Sequence, residues 1–320
     1  MFGLFKRRQK NIKKQIRPIT LQDFIGQENA KLILGVALDG AKQRGSRLEH
    51  IILYGPPGLG KTTLANIIAT EVKGTLHTSI GTALQKQSDI VDLFEDIIDG
   101  DIIFIDEIHR IPVKLEELLY TAMEDGYIDL GNERMNIPGF TLIGATTRLG
   151  DLSEPLRDRF GIQLRLELYS QNEMVQIALR TASVLDVTLS HSGASVLASR
   201  ARGTPRILNS FIRRAMDVMH ASGKSEIDEA IALATLDMLE IDELGLDRMD
   251  RKILGIMYND YGGKPVGLNT LAVSVGENAK TLQDVYEPYL ITSKLILPTP
   301  RGRVLTQKAI KHIKEWLHEK

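Results

Sequence analysis

The chain has 320 residues, of which 43% are hydrophobic and 25% charged, and its formal net charge at pH 7 is −1. This length allows two or three domains with real hydrophobic cores, and the composition excludes a disordered, collagen-like or membrane-embedded chain. The absence of cysteine excludes a disulfide framework, a thiolate metal site and a cysteine nucleophile, and it fits a reducing, cytoplasmic setting.

Basic residues concentrate at the two ends of the chain. Seven of the first 22 residues are basic and none is acidic, and residues 264–320 contain nine basic and five acidic residues. This asymmetry suggests contact with a polyanion, although a solvated tail is the favoured interpretation of the N-terminal run. A signal peptide is not expected, because the apolar stretch at residues 1–5 is too short.

Short apolar runs alternate with amphipathic stretches in the first half of the chain. The predicted strands are residues 50–54, 101–105, 140–144 and 163–167. Helical patterns lie between them, for example at residues 62–72 and 90–98. The alternation predicts an α/β domain with a parallel sheet wrapped by helices, which we assign to residues 1–170.

A glycine-rich loop with the pattern G-x-x-x-x-G-K-[ST] follows the first predicted strand and precedes a helix. Its glycines, including Gly58 and Gly60, let backbone N–H groups approach phosphate oxygens, and the helix N-terminus favours a polyphosphate. Lys61 adds a charge for the β- and γ-phosphates, and Thr62 offers a hydroxyl to Mg²⁺. An incidental glycine-rich turn is the weaker alternative.

Two acidic residues follow the next buried strand. Asp106 can reach a metal ion beside the phosphates, and Glu107 can polarise the attacking water as a base. Alone, such a pair would more often cap a helix, but beside a phosphate loop it indicates hydrolysis. We interpret His109 and Arg110 as structural or interface residues.

Other polar residues along this half are ambiguous. Thr146 ends a predicted strand, where its hydroxyl could contact the water or the γ-phosphate, although ordinary β propensity explains it equally well. Arg157 and Arg159 follow a turn that begins with proline, and by themselves they form a solvated charge cluster.

Alternating residues at 127–130 and 134–137, around a turn at 131–133, predict a hairpin. Its apolar side chains either form a small docking patch for a partner or pack on the core. These side chains are Ile128, Leu130, Met135 and Ile137.

From about residue 170 the predicted strands stop. Residues 171–242 are a predicted all-helical domain, with helices at 171–185, 192–202, 206–221 and 228–239. Residues 243–320 contain predicted helices at 247–260, 267–275, 280–294 and 307–318, and short strands at 295–297 and 303–305. Three helices followed by a two-stranded ribbon with a basic tip are typical of a winged helix-turn-helix.

Together these motifs resemble the RuvB family of AAA+ ATPases, the hexameric motors of Holliday-junction branch migration. The resemblance covers nearly the whole chain, in blocks at residues 17–27, 104–110, 122–125 and 144–148. Its four most specific blocks are PLRDRFG at 155–161, RGTPRI at 202–207, EPYLI at 287–291 and TPRGR at 299–303.

The resemblance implies roles that spacing alone does not assign. Thr146 would be sensor 1, Arg159 an arginine finger in a neighbour's site, and Arg206 sensor 2 in its own subunit. Arg301 and Arg303 would contact DNA. The implied nucleotide-binding residues are Ile16, Arg17, Gly58, Gly60, Lys61, Thr62, Thr63, Glu124, Asp125, Gly126, Arg159, Tyr169 and Arg206.

The resemblance also implies a homohexamer that uses ATP and Mg²⁺ and acts on duplex DNA and Holliday junctions, with a RuvA-type junction-binding partner and a RuvC-type resolvase. Three positions depart from the family pattern. The hairpin before residue 140 is several residues shorter, and Pro298 and Ala279 stand where the family has arginines. Lys280, Lys294, Arg301 and Arg303 remain to supply charge.

Two other functions stay open at this level. One is a nucleotide switch of the origin-initiator or clamp-loader kind, which assembles other proteins without translocating. The other is a DNA-binding regulator with a vestigial ATPase. The intact pattern of Lys61, Asp106, Glu107 and Arg159 disfavours the latter, and the block at 299–303 favours a motor.

Overall fold

The computed structural model describes residues 17–131 and 133–318, with side chains described as far as Trp316. These residues form two compact units. The first comprises the residues up to Thr188 together with Gly203–Ser210, and the second comprises Leu189–Arg202 and the residues from Phe211 onward. The domain boundaries predicted at residues 170 and 242 divide the chain differently and stay a prediction.

Helices and strands alternate along the first half of the chain. In chain order these elements are α1 (Glu28–Arg44), β1 (Ile51–Tyr54), α2 (Lys61–Val72), β2 (Leu76–Ile80), α3 (Gln87–Phe94), β3 (Ile102–Asp106), α4 (Val113–Asp125), β4 (Tyr127–Asp129), β5 (Arg134–Asn136), β6 (Thr141–Thr146), α5 (Glu154–Asp158), β7 (Ile162–Arg165) and α6 (Gln171–Val184). The predicted strands and helices therefore have counterparts, most of them displaced by only one or two residues.

The second half of the chain is mainly helical, but the prediction of an all-helical domain at residues 171–242 is wrong, because two short strands there pair with each other. Its elements are β8 (Thr188–Leu189), α7 (His191–Arg200), α8 (Pro205–Ala221), β9 (Glu226–Ile227), α9 (Glu229–Met238), α10 (Arg248–Asn259), α11 (Leu268–Val275), α12 (Ala279–Thr281), a π-helical turn (Leu282–Tyr286), α13 (Glu287–Thr292), β10 (Ile296–Thr299), β11 (Gly302–Leu305) and α14 (Gln307–His318). Within the described part of the chain, no helix combines the length and the apolar character needed to cross a membrane.

Five parallel strands form the central sheet of the first unit, in the order β2-β3-β6-β1-β7. Nearly every residue of β1, β3 and β6 is buried, as expected for a parallel sheet in an α/β domain. Because the strands run in one direction, the residues that follow them meet at one edge. The phosphate loop after β1, Asp106 at the end of β3 and Thr146 at the end of β6 share this carboxyl edge.

The edge strand β2 and the start of α3 differ from the sequence-based prediction. β2 has the sequence LHTSI and is only partly buried, so it lacks the continuous apolar run that marks β3. α3 begins at Gln87 instead of residue 90, because the Asp89 carboxylate accepts hydrogen bonds from the backbone N–H groups of Gln85 and Lys86. A side chain at the third position thus fixes the helix start.

The predicted hairpin is formed by β4 and β5, with Ile128 opposite Met135. Ile128 is fully buried and Ile137 is 8% exposed. Leu130 and Met135 are partly buried against the same hydrophobic cluster, which includes Phe140. Of the two alternatives, packing on the core is therefore the one observed.

The C-terminal part of the second unit has the predicted winged-helix pattern. Its helices enclose a core that includes Leu254, Leu271 and Leu290, and β10 pairs with β11 in antiparallel fashion. The predicted helix at 280–294 is instead divided into α12, the π-helical turn and α13. Pro288 explains the interruption, because it has no backbone N–H to continue the regular hydrogen-bond ladder.

Candidate active site

Three glycines of the phosphate loop have backbone conformations that other residues rarely adopt. The φ angles of Gly55, Gly58 and Gly60 are 135°, 80° and 105°. A Cβ on Gly55 would lie 2.3 Å from the carbonyl oxygen of Leu166, so only glycine fits there. Gly60 precedes the first turn of α2 and contributes no side-chain cap, which leaves the helix N-terminus to an anion.

Lys61 lies folded against this loop. Its side chain is only 7% exposed, and its Nζ donates hydrogen bonds to the carbonyl oxygens of Gly55 at 2.7 Å and Pro56 at 2.9 Å. Burial lowers the pKa of Lys61, Glu107 and Asp106 oppose the lowering, and Arg206 adds to it. The amine and the charged residues predicted around it are therefore close enough to interact.

Asp106 and Glu107 follow β3 directly, at the carboxyl edge of the sheet. The Asp106 Oδ1 accepts a hydrogen bond from the Glu107 backbone N–H at 3.0 Å. Glu107 has a left-handed backbone with φ of 50°, a conformation that is uncommon for residues other than glycine. Strained backbone of this kind is concentrated at functional sites, where it sets the direction of a side chain.

Thr146 and His109 form a pair behind these acids. The Thr146 side chain is fully buried, and its Oγ1 lies 2.8 Å from Nδ1 of His109. The same oxygen accepts a hydrogen bond from the Arg148 backbone N–H at 2.9 Å. His109 Nε2 lies 3.4 Å from a carboxylate oxygen of Glu107. Burial lowers the pKa of His109, which favours the neutral imidazole.

Arg206 and Tyr169 both lie against the phosphate loop. A Cβ on Gly58 would lie 3.0 Å from Cβ of Arg206, so the stem of this arginine covers the loop. The Tyr169 hydroxyl donates a hydrogen bond to the carbonyl oxygen of Leu59 at 3.0 Å, and burial raises the pKa of this hydroxyl. Two residues distant in sequence thus converge on one loop.

The remaining residues predicted at the nucleotide are less well defined by contacts. Arg17 is exposed at the start of the described chain, and Ile16 lies outside the described residues. Thr62 and Thr63 are partly buried in the first turn of α2.

A metal ion would depend on the nucleotide for part of its coordination. In the described ranges, no three His, Cys, Asp or Glu side chains come together as a metal site. Thr62 and Asp106 offer a hydroxyl and a carboxylate oxygen, and Mg²⁺ is commonly bound by one or two such protein groups together with substrate phosphates and water. These residues therefore fit a Mg²⁺ ion that binds together with a nucleotide.

Arg159 lies at the amino-terminal ends of the strands, whereas the phosphate loop lies at their carboxyl ends. It precedes β7, whose first residue, Ile162, is paired with Ile51, the first residue of β1. The loop instead follows the last residue of β1. Arg159 forms an ion pair with Glu124, and both side chains are nearly half exposed. The structure therefore does not bring Arg159 to the phosphate loop of its own chain.

Glu124 lies at the C-terminal end of α4, and this end of the helix is anchored near the amino-terminal ends of the strands. Nε2 of His50, the residue before β1, lies 3.3 Å from the carbonyl oxygen of Met123. Asp125 is exposed at the end of α4, and Gly126 follows with a left-handed backbone. Glu124, Asp125 and Gly126 thus lie together with Arg159, apart from Lys61.

The two arginines predicted to contact DNA differ in their surroundings. Arg301 is exposed at the turn between β10 and β11. The Arg303 side chain is 20% exposed and forms two hydrogen bonds with the carboxylate of Glu287, which is buried. Arg303 is therefore engaged inside the winged-helix part, and only Arg301 presents a free surface.

Family models match the described domains in order. They are the Holliday junction DNA helicase RuvB P-loop domain at residues 16–166, the RuvB AAA lid domain at 169–242 and the RuvB C-terminal winged helix domain at 243–314. This chain belongs to the RuvB family.

Individual RuvB proteins are similar to this chain over almost their whole length. The Holliday junction branch migration complex subunit RuvB of Methanoregula boonei is 47% identical over 307 residues, which are 93% of this chain and 92% of the relative. The Thermotoga maritima protein of the same name is 48% identical over the same shares. A solved structure of the Thermotoga maritima RuvB Holliday junction branch migration motor superposes with a TM-score of 0.86, at 48% identity, covering 93% of this chain and 98% of that one.

Sequence reasoning did not identify the contacts of His109 or Glu287. His109 is expected from the sequence to be a structural or interface residue, and its position along the chain does not predict its contacts with Glu107 and Thr146. Glu287 belongs to the block EPYLI, but nothing in its pattern shows that its carboxylate is buried and paired with Arg303. Such partners become visible only when residues distant in sequence are brought together.

Proposed function

We propose that this chain is an ATP-driven DNA motor that moves Holliday junctions in homologous recombination and DNA repair. The observation that carries the proposal is the convergence of Lys61, Asp106, Glu107 and Arg206 on one phosphate loop, in a chain that also has a winged-helix part. Membership in the RuvB family supports coupling of that site to junction DNA.

The ATP site has a separate task for each group. Lys61 and the N-terminus of α2 bind the β- and γ-phosphates, and Arg206 contacts the γ-phosphate. Glu107 holds the attacking water as a base, and Thr146 senses the γ-phosphate. Mg²⁺, held by Thr62 with Asp106 nearby, would supply positive charge beside the phosphates when bound.

The adenine side of the site uses a different set of residues. Tyr169 supports the phosphate loop through its hydrogen bond to Leu59, and its ring lies next to Gly26. Arg17, together with Ile16 and Tyr169, lines the base. Thr63 completes the first turn of α2 behind Thr62.

Hydrolysis requires a second subunit. Arg159 and Glu124 are accessible and lie at the sheet edge away from their own phosphate loop, so they can reach only a neighbour's nucleotide. Asp125 and Gly126 belong to the same edge. A site shared in this head-to-tail manner generates a ring when the rotation closes, and the family resemblance implies a homohexamer.

DNA is contacted by the winged-helix part. We assign the phosphate contact to Arg301 and expect Lys280 and Lys294, which are also exposed, to add positive charge. Arg303 holds the wing in position through Glu287. The proposed substrates are duplex DNA and Holliday junctions.

The proposed partners follow from the family resemblance. They are a RuvA-type junction-binding protein and a RuvC-type resolvase, in a cytoplasmic setting. The hairpin of β4 and β5 is short and its apolar side chains are occupied by the core, which leaves little surface for a RuvA-type partner. We therefore propose that such a partner binds weakly or is adapted to this shorter hairpin.

A synthetic four-way junction tests the function directly. The purified chain should move the junction when ATP and Mg²⁺ are present, with a RuvA-type protein tested as a second arm. Lys61→Ala should neither bind nucleotide nor move DNA, and Glu107→Gln should bind ATP without hydrolysing it. ATP hydrolysis without junction movement in any arm would instead favour a nucleotide switch of the initiator or clamp-loader kind.

A further inference from the structure

One imidazole links the two groups that are expected to act on the attacking water and the γ-phosphate. His109 lies between Glu107 and Thr146, with Nε2 at 3.4 Å from the carboxylate and Nδ1 at 2.8 Å from the hydroxyl. Its side chain is only 3% exposed. The imidazole is therefore shielded from solvent, whereas the Glu107 side chain is 33% exposed. Glu107 and His109 follow β3, and Thr146 ends the neighbouring strand β6.

The surrounding groups favour one arrangement of hydrogens. Nε2 of His109 faces a carboxylate, so this nitrogen carries the proton of the neutral ring. Nδ1 is then an acceptor, and the Thr146 hydroxyl donates to it. The Thr146 oxygen in turn accepts from the Arg148 N–H at 2.9 Å, which agrees with the hydroxyl hydrogen pointing toward His109.

We propose that His109 is a positioning residue that couples Thr146 to Glu107, so that contact of Thr146 with the γ-phosphate is transmitted to the residue that holds the attacking water. The proposal rests on the ATPase function proposed above. A hydroxyl that turns toward a phosphate oxygen must withdraw its hydrogen from Nδ1. The imidazole then loses one of its two partners, and its hold on Glu107 changes with the state of the nucleotide.

The backbone around Glu107 makes this side chain sensitive to such a partner. Glu107 has a φ of 50°, and its backbone N–H is bound to Asp106. Its backbone N–H is engaged, so we expect the carboxylate to be the part that responds. An oriented base of this kind follows the general pattern in which a third group directs the catalytic one.

Enzyme kinetics of two His109 variants and one control variant test the coupling. His109→Phe keeps a ring of similar size but removes both contacts, and we expect kcat for ATP hydrolysis to fall about 10- to 100-fold, because a misplacement of about 1 Å can cost about 10²-fold. The KM and the nucleotide affinity should stay within about threefold, since Lys61 and the loop are untouched. His109→Gln, whose amide can still reach Glu107, should retain more kcat than His109→Phe, and His191→Phe at an exposed position of α7 is the control.

A double-mutant cycle separates coupling from a simple loss of packing. Thr146→Val keeps the shape but removes the hydroxyl, including its contact with the γ-phosphate, so it should also lower kcat alone. The defect of the double variant should be smaller than the product of the two single defects if the two residues act as one unit. Unchanged kcat in His109→Phe, or strictly multiplicative defects in the double variant, would overturn the proposal. If the wild-type chain itself hydrolyses no ATP while binding it, the proposed function fails instead, and the two failures are thus distinguished.

Discussion

The guanidinium of Arg303 is held by the carboxylate of Glu287, with Nε 2.5 Å from Oε1 and Nη2 3.0 Å from Oε2. Glu287 is buried at the start of α13, and the Arg303 backbone pairs with Val266 through hydrogen bonds in both directions. This two-pronged geometry ties the wing to the helix beneath it. Arg303 is thus paired with a buried carboxylate, whereas Arg301 is exposed, although both belong to the same TPRGR block.

The two arginines should therefore give different results on replacement by alanine. Arg301→Ala should leave the unfolding midpoint unchanged and reduce the slope of log K against log salt by about 0.9, the loss of one phosphate contact. Arg303→Ala should destabilise the second unit by about 3 kcal/mol, because Glu287 would stay buried without its partner. Equal salt slopes and equal stabilities for the two variants would contradict this division.

The hairpin residue Ile128 belongs to the core and cannot serve as a probe of docking. Ile128→Ala should lower the free energy of unfolding of the first unit by about 2–5 kcal/mol, the usual effect of truncating a buried isoleucine. Chemical denaturation measures this change, and Glu133→Ala at the exposed turn is the matched control. A variant that unfolds like wild type would show that the hairpin does not pack as described.

Partner binding at the hairpin is tested by titrating a RuvA tetramer against the wild-type chain. We expect binding weaker than submicromolar and little stimulation of junction movement, because the apolar side chains of the hairpin are occupied. Submicromolar binding that Arg134→Glu abolishes, together with strong stimulation of junction movement, would contradict this expectation. It would indicate that the chain binds a RuvA-type partner as the family resemblance implies.

His50 makes the first unit sensitive to acid. Burial lowers the pKa of His50 to about 4, and its Nδ1 accepts a hydrogen bond from the Leu142 N–H. The unfolded chain, with an ordinary histidine pKa, therefore binds the proton first as the pH falls. Stability from the neutral ring is complete above about pH 6.5 and is lost as the pH falls toward 4.

The expected size of this effect is about 2–3 kcal/mol between pH 7 and pH 4.5. Over this interval, the decrease in the free energy of unfolding should be larger in wild type than in His50→Gln by this amount. Parallel pH profiles for the two proteins would mean that His50 does not remain neutral in the folded chain.

Sequence reasoning predicted the parallel sheet, the phosphate loop and the winged-helix pattern, because apolar runs and glycine spacing are local signals. It missed β2, whose residues are half exposed at the sheet edge, and it did not foresee the division of the helix around Pro288. The pairing of His109 with Thr146 joins residues 37 positions apart, and no pattern along the chain encodes it. Burial and pairing of polar side chains depend on the tertiary fold, which is why they escaped prediction.

We propose that each ATP site is completed by Arg159 of a neighbouring subunit and that this shared site drives DNA movement. Arg159→Ala alone should bind ATP but lose about 10³–10⁵-fold in hydrolysis rate, and Lys61→Ala alone should not bind ATP. In a one-to-one mixture, an Arg159→Ala site can meet the intact finger of a Lys61→Ala subunit, so about a quarter of the interfaces in a randomly mixed ring should be complete.

The deciding measurement is the rate of ATP hydrolysis in such mixtures, with mixed assembly verified by two subunit labels. We predict that hydrolysis reappears in the mixture and reaches its maximum near equal proportions of the two variants. Hydrolysis that stays at the level of the separate variants at every ratio, in rings shown to be mixed, would contradict a site shared between subunits.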